Sequence, residues 1–135
     1  LRQALENSVS QLPGSQAGRF LQVSGLSILY DLSAKPGSRV REVLVGERPI
    51  EAARRYSIAT DAFLADGGDG FTMFAAATDR IERQLPMRDL LLAALQAGPL
   101  KASLEGRIRF LEPTAPAEPR QPAGPPASAH TMPGH

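Results

Sequence analysis

The sequence predicts an α+β domain, a mixed β-sheet with packed helices. An apolar stripe of helical period opens the chain, and a second lies around residue 90. Between and after them stand short runs in which apolar and polar residues alternate. No regular βαβ rhythm joins the two kinds of element, so a doubly wound parallel sheet is not indicated.

Leu1, Leu5, Val9 and Leu12, with Ala4 and Ser8 beside them, recur at helical spacing, and Pro13-Gly14 stops that helix. Arg19 to Asp31 reads as a strand. Leu21 and Val23 share one face, while Leu26, Ile28 and Tyr30 take the opposite parity, so a bulge or bend is expected at Ser24-Gly25. Lys35-Pro36-Gly37 marks a turn. Arg39 to Val45 is a second strand, which Gly46-Glu47-Arg48 returns to Pro49-Ile50 as a hairpin. Tyr56, Ile58 and Thr60 alternate as a third strand, with Tyr30 and Tyr56 expected half-buried. Residues 75–79 are ambiguous between loop and helix. Met87, Leu90, Leu91, Ala94 and Leu95 form an amphipathic helix between Pro86 and Gly98-Pro99, its leucines expected in the core. Ile108 and Phe110 alternate with Arg107 and Arg109 as a final strand.

Composition narrows the function. With 135 residues and 42% hydrophobic content, the chain holds one modest core. A net charge of +1 argues against a nucleic-acid binder, which needs a basic surface. There is no long apolar run to span a membrane and no signal-peptide pattern. Without cysteine there is neither a disulfide framework nor thiolate chemistry. The only histidines are His130 and His135, in a segment where seven of the 24 residues from Glu112 onward are proline. Such a tail buries too little to offset its ordering entropy, so residues 112–135 are expected to be a disordered Pro/Ala-rich tail and residues 1–111 the domain. A histidine-rich metal centre or a Ser-His-Asp site cannot be assembled from this composition. No catalytic residue and no metal ligand is therefore assigned. Arg19 and Arg39 read as solvated strand-end charges.

The segment richest in possible chemistry is Thr60-Asp61-Ala62-Phe63-Leu64-Ala65-Asp66-Gly67-Gly68-Asp69-Gly70-Phe71. Its glycines let backbone approach a ligand closely. Phe63 offers a flat apolar face and Asp69 a hydrogen-bond acceptor, which together suit a nucleoside. Taken singly, Phe63 reads as a core aromatic and Asp69 as a turn residue. The alternating oxygen ligands of a calcium loop are missing, and so is the lysine of a phosphate-binding P-loop.

This run closely resembles the Phe-Leu-Ala-x-Gly-Gly-Asp-Gly-aromatic signature of the 5′-nucleotidase C-terminal domain. Further segments match that family in order: Ala4 to Ser10, Gly18 to Leu26, Tyr30-Asp31 with Pro36 to Val40, Arg88 to Leu91, and Glu105 to Ile108. The resemblance covers nearly all of residues 1–111. It implies a layered α/β/β/α domain, here lacking its N-terminal part, whose aromatic at Phe63 stacks on the base and whose acid at Asp69 binds the ribose hydroxyls. Gly67 and Gly68 join them as substrate-binding positions. It also implies a separate N-terminal metallophosphoesterase domain, with two divalent metal ions, that performs the hydrolysis. No cofactor is then expected in this chain, which alone should be inactive. The implied location is the periplasm or cell surface, and the partners are the nucleotide and the catalytic domain. The alternatives are a stand-alone nucleoside- or partner-binding module, favoured if no such domain lies upstream, and a thiosulfohydrolase-like relative, which Phe63 argues against. Because the chain starts on Leu1, inside a helical pattern, it is expected to be an excerpt of a longer protein.

Overall fold

The computed structural model describes residues 1–14 and 18–112, and the expected tail beyond residue 112 lies outside them. Helix α1 (Arg2–Val9) leads to β1 (Leu26–Tyr30), β2 (Val40–Val45) and the two-residue β3 (Arg48–Pro49). Three short or isolated helices follow: α2 (Ala62–Ala65), α3 (Thr72–Ala75) and α4 (Met87–Gln96). Strand β4 (Ile108–Phe110) closes the sheet. The sheet order is β3-β2-β1-β4, with β4 parallel to β1 and the other pairs antiparallel. The predicted α+β class holds.

The core lies between α1 and one face of the sheet. Leu5 and Val9 from α1 meet Ile28 and Tyr30 of β1 and Val40 and Val43 of β2, all at most 2% exposed. Burying each aliphatic side chain of this set is worth about 1.5–3 kcal/mol. Val40 and Val43 have opposite parity, so a regular strand could not bury both. A bulge resolves this: Leu29 pairs with Glu42 and Tyr30 with Val40, which leaves Arg41 as the extra residue. Tyr30 is fully buried rather than half-buried, and its desolvation pushes the phenol up to about 12. The Phe110 ring stacks 5.8 Å from it and Phe20 a further 6.3 Å beyond Phe110.

Arg39 departs most from its sequence reading. It is not a solvated strand-end charge but 7% exposed. Its Nη1 donates to the carbonyls of Val9 and Leu12 at 2.6 and 2.7 Å, and its Nε donates to Ala34 at 3.0 Å. A cation at a helix C-terminus satisfies carbonyls that the helix leaves unpaired and complements its dipole. The return contact comes from Glu6, whose two carboxylate oxygens accept from the backbone N–H groups of Arg39 and Val40 at 2.9 and 2.8 Å. Helix α1 is thus tied to the start of β2 in both directions.

Three further expectations are corrected. The strand predicted from Arg19 begins only at Leu26. The bend at Ser24-Gly25 is present, but residues 20–23 form no ladder, and the backbone N–H of Leu21 donates instead to the Ser8 hydroxyl at 2.8 Å. No strand forms over Tyr56–Thr60, where the alternation finds no neighbouring strand to pair with among the described residues. The leucines of α4 are not core: Leu90, Leu91, Leu92 and Leu95 are each about half exposed, and the helix buries none of its residues. An amphipathic period states what a helix needs to bury, and no described surface meets that need here. The hairpin at Gly46-Glu47 and the final strand match the sequence reading.

Candidate functional site

The glycine-rich run is not a loop entered from a strand but two helical turns about a tight reversal. Asp61 starts it as an N-cap: its extended backbone frees the side chain to accept from the Leu64 N–H at 2.9 Å. The Thr60-Asp61-Ala62 sequence carried that signal, and the sequence reading did not assign it. Helix α2 ends at Asp66, whose carboxylate pairs with Arg80 at 2.6 Å. The chain then turns through Gly67 and a 3₁₀ turn at Gly68–Gly70 into α3. Phe71, directly after the turn, is fully buried and stacks on Phe74 with ring centroids 5.5 Å apart. Its burial anchors the end of the reversal.

Phe63, by contrast, is 60% exposed. A Cβ added to Gly68 would stand 2.5 Å from its Cζ and 2.6 Å from both Cε atoms. One face of the ring is therefore laid against the Gly68 backbone, and the remaining face opens outward. A large aromatic surface left open in this way has more to gain from a flat ligand than from solvent.

Asp69 takes a left-handed conformation, φ 51° and ψ 26°, between Gly67 at φ 92° and Gly70 at φ 81°. Asp is among the few residues that tolerate this region, at a cost of roughly 1–2 kcal/mol. Its carbonyl accepts from Asn7 Nδ2 at 3.0 Å, while its carboxylate takes no bond from the described residues. Asn7 in turn accepts from Arg19 Nη1 at 3.3 Å through Oδ1. Sequence reading did not select Asn7, because no local pattern relates α1 to a turn 62 residues away.

The structure therefore brings Phe63, Gly67, Gly68 and Asp69 together on one shelf, where Phe63 and Asp69 are exposed and the two glycines half-buried. A groove of about 440 Å³ runs elsewhere, between residues 21–26 and 56–60, and includes neither Phe63 nor Asp69. Among the described residues no three His, Cys, Asp or Glu side chains converge as a metal centre would require, and both histidines lie outside those residues.

The sequence profile of the 5′-nucleotidase C-terminal domain matches residues 1–76, more than half of the chain. This chain belongs to the 5′-nucleotidase C-terminal domain family. It is 33% identical to the 5′-nucleotidase of Homo sapiens over 82% of its own length and 21% of that protein's. It is 46% identical to a snake venom 5′-nucleotidase of Naja atra, over 54% of this chain and 15% of that one. The crystal structure of a 5′-nucleotidase precursor from Thermus thermophilus superposes with a TM-score of 0.74 at 40% identity, covering 82% of this chain and 23% of the precursor. The 5′-nucleotidase C-terminal-like domain thus spans about a fifth of the length of such relatives.

Proposed function

We propose that this 5′-nucleotidase-family domain recognises the nucleoside end of a nucleotide for a phosphoester hydrolase of which it forms a part. The observation that carries the reading is the shelf itself. An open aromatic face backed by Gly68 stands beside a carboxylate that no described protein group occupies. A base stacked on Phe63 would place its sugar hydroxyls toward Asp69, and the phosphate would project away from this domain. The hydrolytic centre, with its divalent metals, then belongs to another domain of the parent protein, and this chain alone hydrolyses nothing. Holding the nucleoside in place lowers the barrier by positioning, without a catalytic side chain here. Export to the periplasm or cell surface is part of the proposal. A venom enzyme among the relatives supports it, and none of the described helices is long and apolar enough to cross a membrane.

The test uses the full-length enzyme with two substrates, a ribonucleoside 5′-monophosphate and p-nitrophenyl phosphate. Stacking is worth about 1–3 kcal/mol per base, so Phe63→Ala should lower kcat/KM for the nucleotide by roughly one to two orders of magnitude. The loss on the aryl phosphate, which has no base or sugar, should be far smaller. Asp69→Gly removes the carboxylate while accepting the left-handed backbone, and should cost a ribonucleotide more than its 2′-deoxy counterpart. Equal losses on nucleotide and aryl phosphate would mean that Phe63 only supports the fold.

A further inference from the structure

We infer that Asn7 on α1 is a positioning residue for Asp69, setting the carboxylate that discriminates the sugar of the substrate. The inference rests on the nucleoside reading above and adds a residue to it that no local motif marks.

The amide of Asn7 is held at both ends. Its Nδ2 donates to the Asp69 carbonyl at 3.0 Å, and its Oδ1 accepts from Arg19 Nη1 at 3.3 Å. A guanidinium only donates and a carbonyl only accepts, so the amide has a single orientation that satisfies both. The platform beneath it is fixed as well. Glu6, the preceding residue, binds two backbone N–H groups at the start of β2, and Ser8, the next, accepts from Leu21. Leu5 and Val9 on the same helix sit in the core. Asn7 thereby ties the glycine turn to a helix that is packed in the core and bonded to β2.

The turn needs such a tie. A left-handed non-glycine residue persists only where its surroundings hold it, and the glycines around Asp69, of which Gly67 and Gly70 are themselves left-handed, add freedom rather than restraint. The contact is close: a Cβ at residue 70 would come within 3.1 Å of Asn7 Oδ1. With its carbonyl drawn toward α1, Asp69 is oriented at the backbone while its carboxylate stays free of the described residues. A group held by such a supporting contact meets its ligand in one geometry rather than several.

The experiment is a double-mutant cycle in the full-length enzyme, read with a ribonucleoside 5′-monophosphate, its 2′-deoxy counterpart and p-nitrophenyl phosphate. Asn7→Ala should raise KM for the ribonucleotide roughly fivefold, the equivalent of one net hydrogen bond, and narrow the ribose-to-deoxyribose preference. Asn7→Asp keeps the size and the acceptor toward Arg19 but turns a second acceptor on the Asp69 carbonyl. It should lose at least as much and serves if the alanine variant folds poorly. In an Asp69→Gly background, either change should add less than about twofold, because the residue it positions is gone. Full additivity in that background, or an equal loss on p-nitrophenyl phosphate, would overturn the inference and make Asn7 a structural residue. If Asp69→Gly weakens the ribonucleotide while both Asn7 variants leave KM unchanged, positioning is refuted and the nucleoside reading stands. If Asp69→Gly itself spares the ribonucleotide, the nucleoside reading fails and this inference falls with it.

Discussion

The face of Phe63 rests on Gly68 so closely that no side chain fits between them: a methyl group at residue 68 would lie 2.5 Å from the ring. The glycine is a seat for the aromatic. Gly68→Ala is therefore a way to move the ring without removing it. Residue 68 does not adopt positive φ, and Phe63 is exposed enough to swing aside, so stability should change by less than about 1 kcal/mol. KM for a nucleotide should rise in the full-length enzyme, with Phe63 itself intact. An unchanged KM, with ring resonances of Phe63 unshifted by NMR, would show that the turn relaxes and that the seat is not needed.

Arg39 should matter to stability far more than its surface neighbours. Arg39→Ala strips four bonds, from the carbonyls of Val9, Ser10, Leu12 and Ala34, in a setting that is 7% exposed. The cost should be about 2–4 kcal/mol by urea unfolding. Arg41→Ala, which removes an exposed ion pair with Asp31, should cost under about 1 kcal/mol. Similar costs for the two would mean that water replaces Arg39 at the end of α1.

Asp31 supplies a pH-dependent test. A hydrogen bond from the Ser33 hydroxyl, and then one from Arg41, lowers its carboxyl from 3.8 to about 2. A depressed folded-state value means that the unfolded chain takes up the proton first. The stabilisation is then complete above about pH 4 and lost as pH falls through about 2. The gap in Tm between the natural chain and Asp31→Asn should be widest above about pH 4 and should close toward pH 2. A gap that stays constant across that range would place the effect elsewhere than in ionisation.

Much of this domain could be read from its residues because the signals were local. Pro86 marked the start of α4, Gly46-Glu47 made the hairpin, and Ile108 and Phe110 alternated into the closing strand, while α1 ended at Val9, short of Pro13-Gly14. The glycine run, with its Phe63 and Asp69, stood out from composition alone, and its match to the family signature came from order along the chain. Three decisions lay beyond local pattern. Arg39 is buried because the C-terminus of α1 happens to end over the start of β2, and charge alone says nothing of that neighbour. Tyr56–Thr60 alternates like a strand but needs a neighbouring strand to become one, as the leucines of α4 need a surface. Asn7 gains its role only when folding carries α1 to a turn 62 residues away. Periodicity encodes what each segment must bury. Which groups meet depends on the packing of segments distant in sequence, and only the tertiary structure decides that.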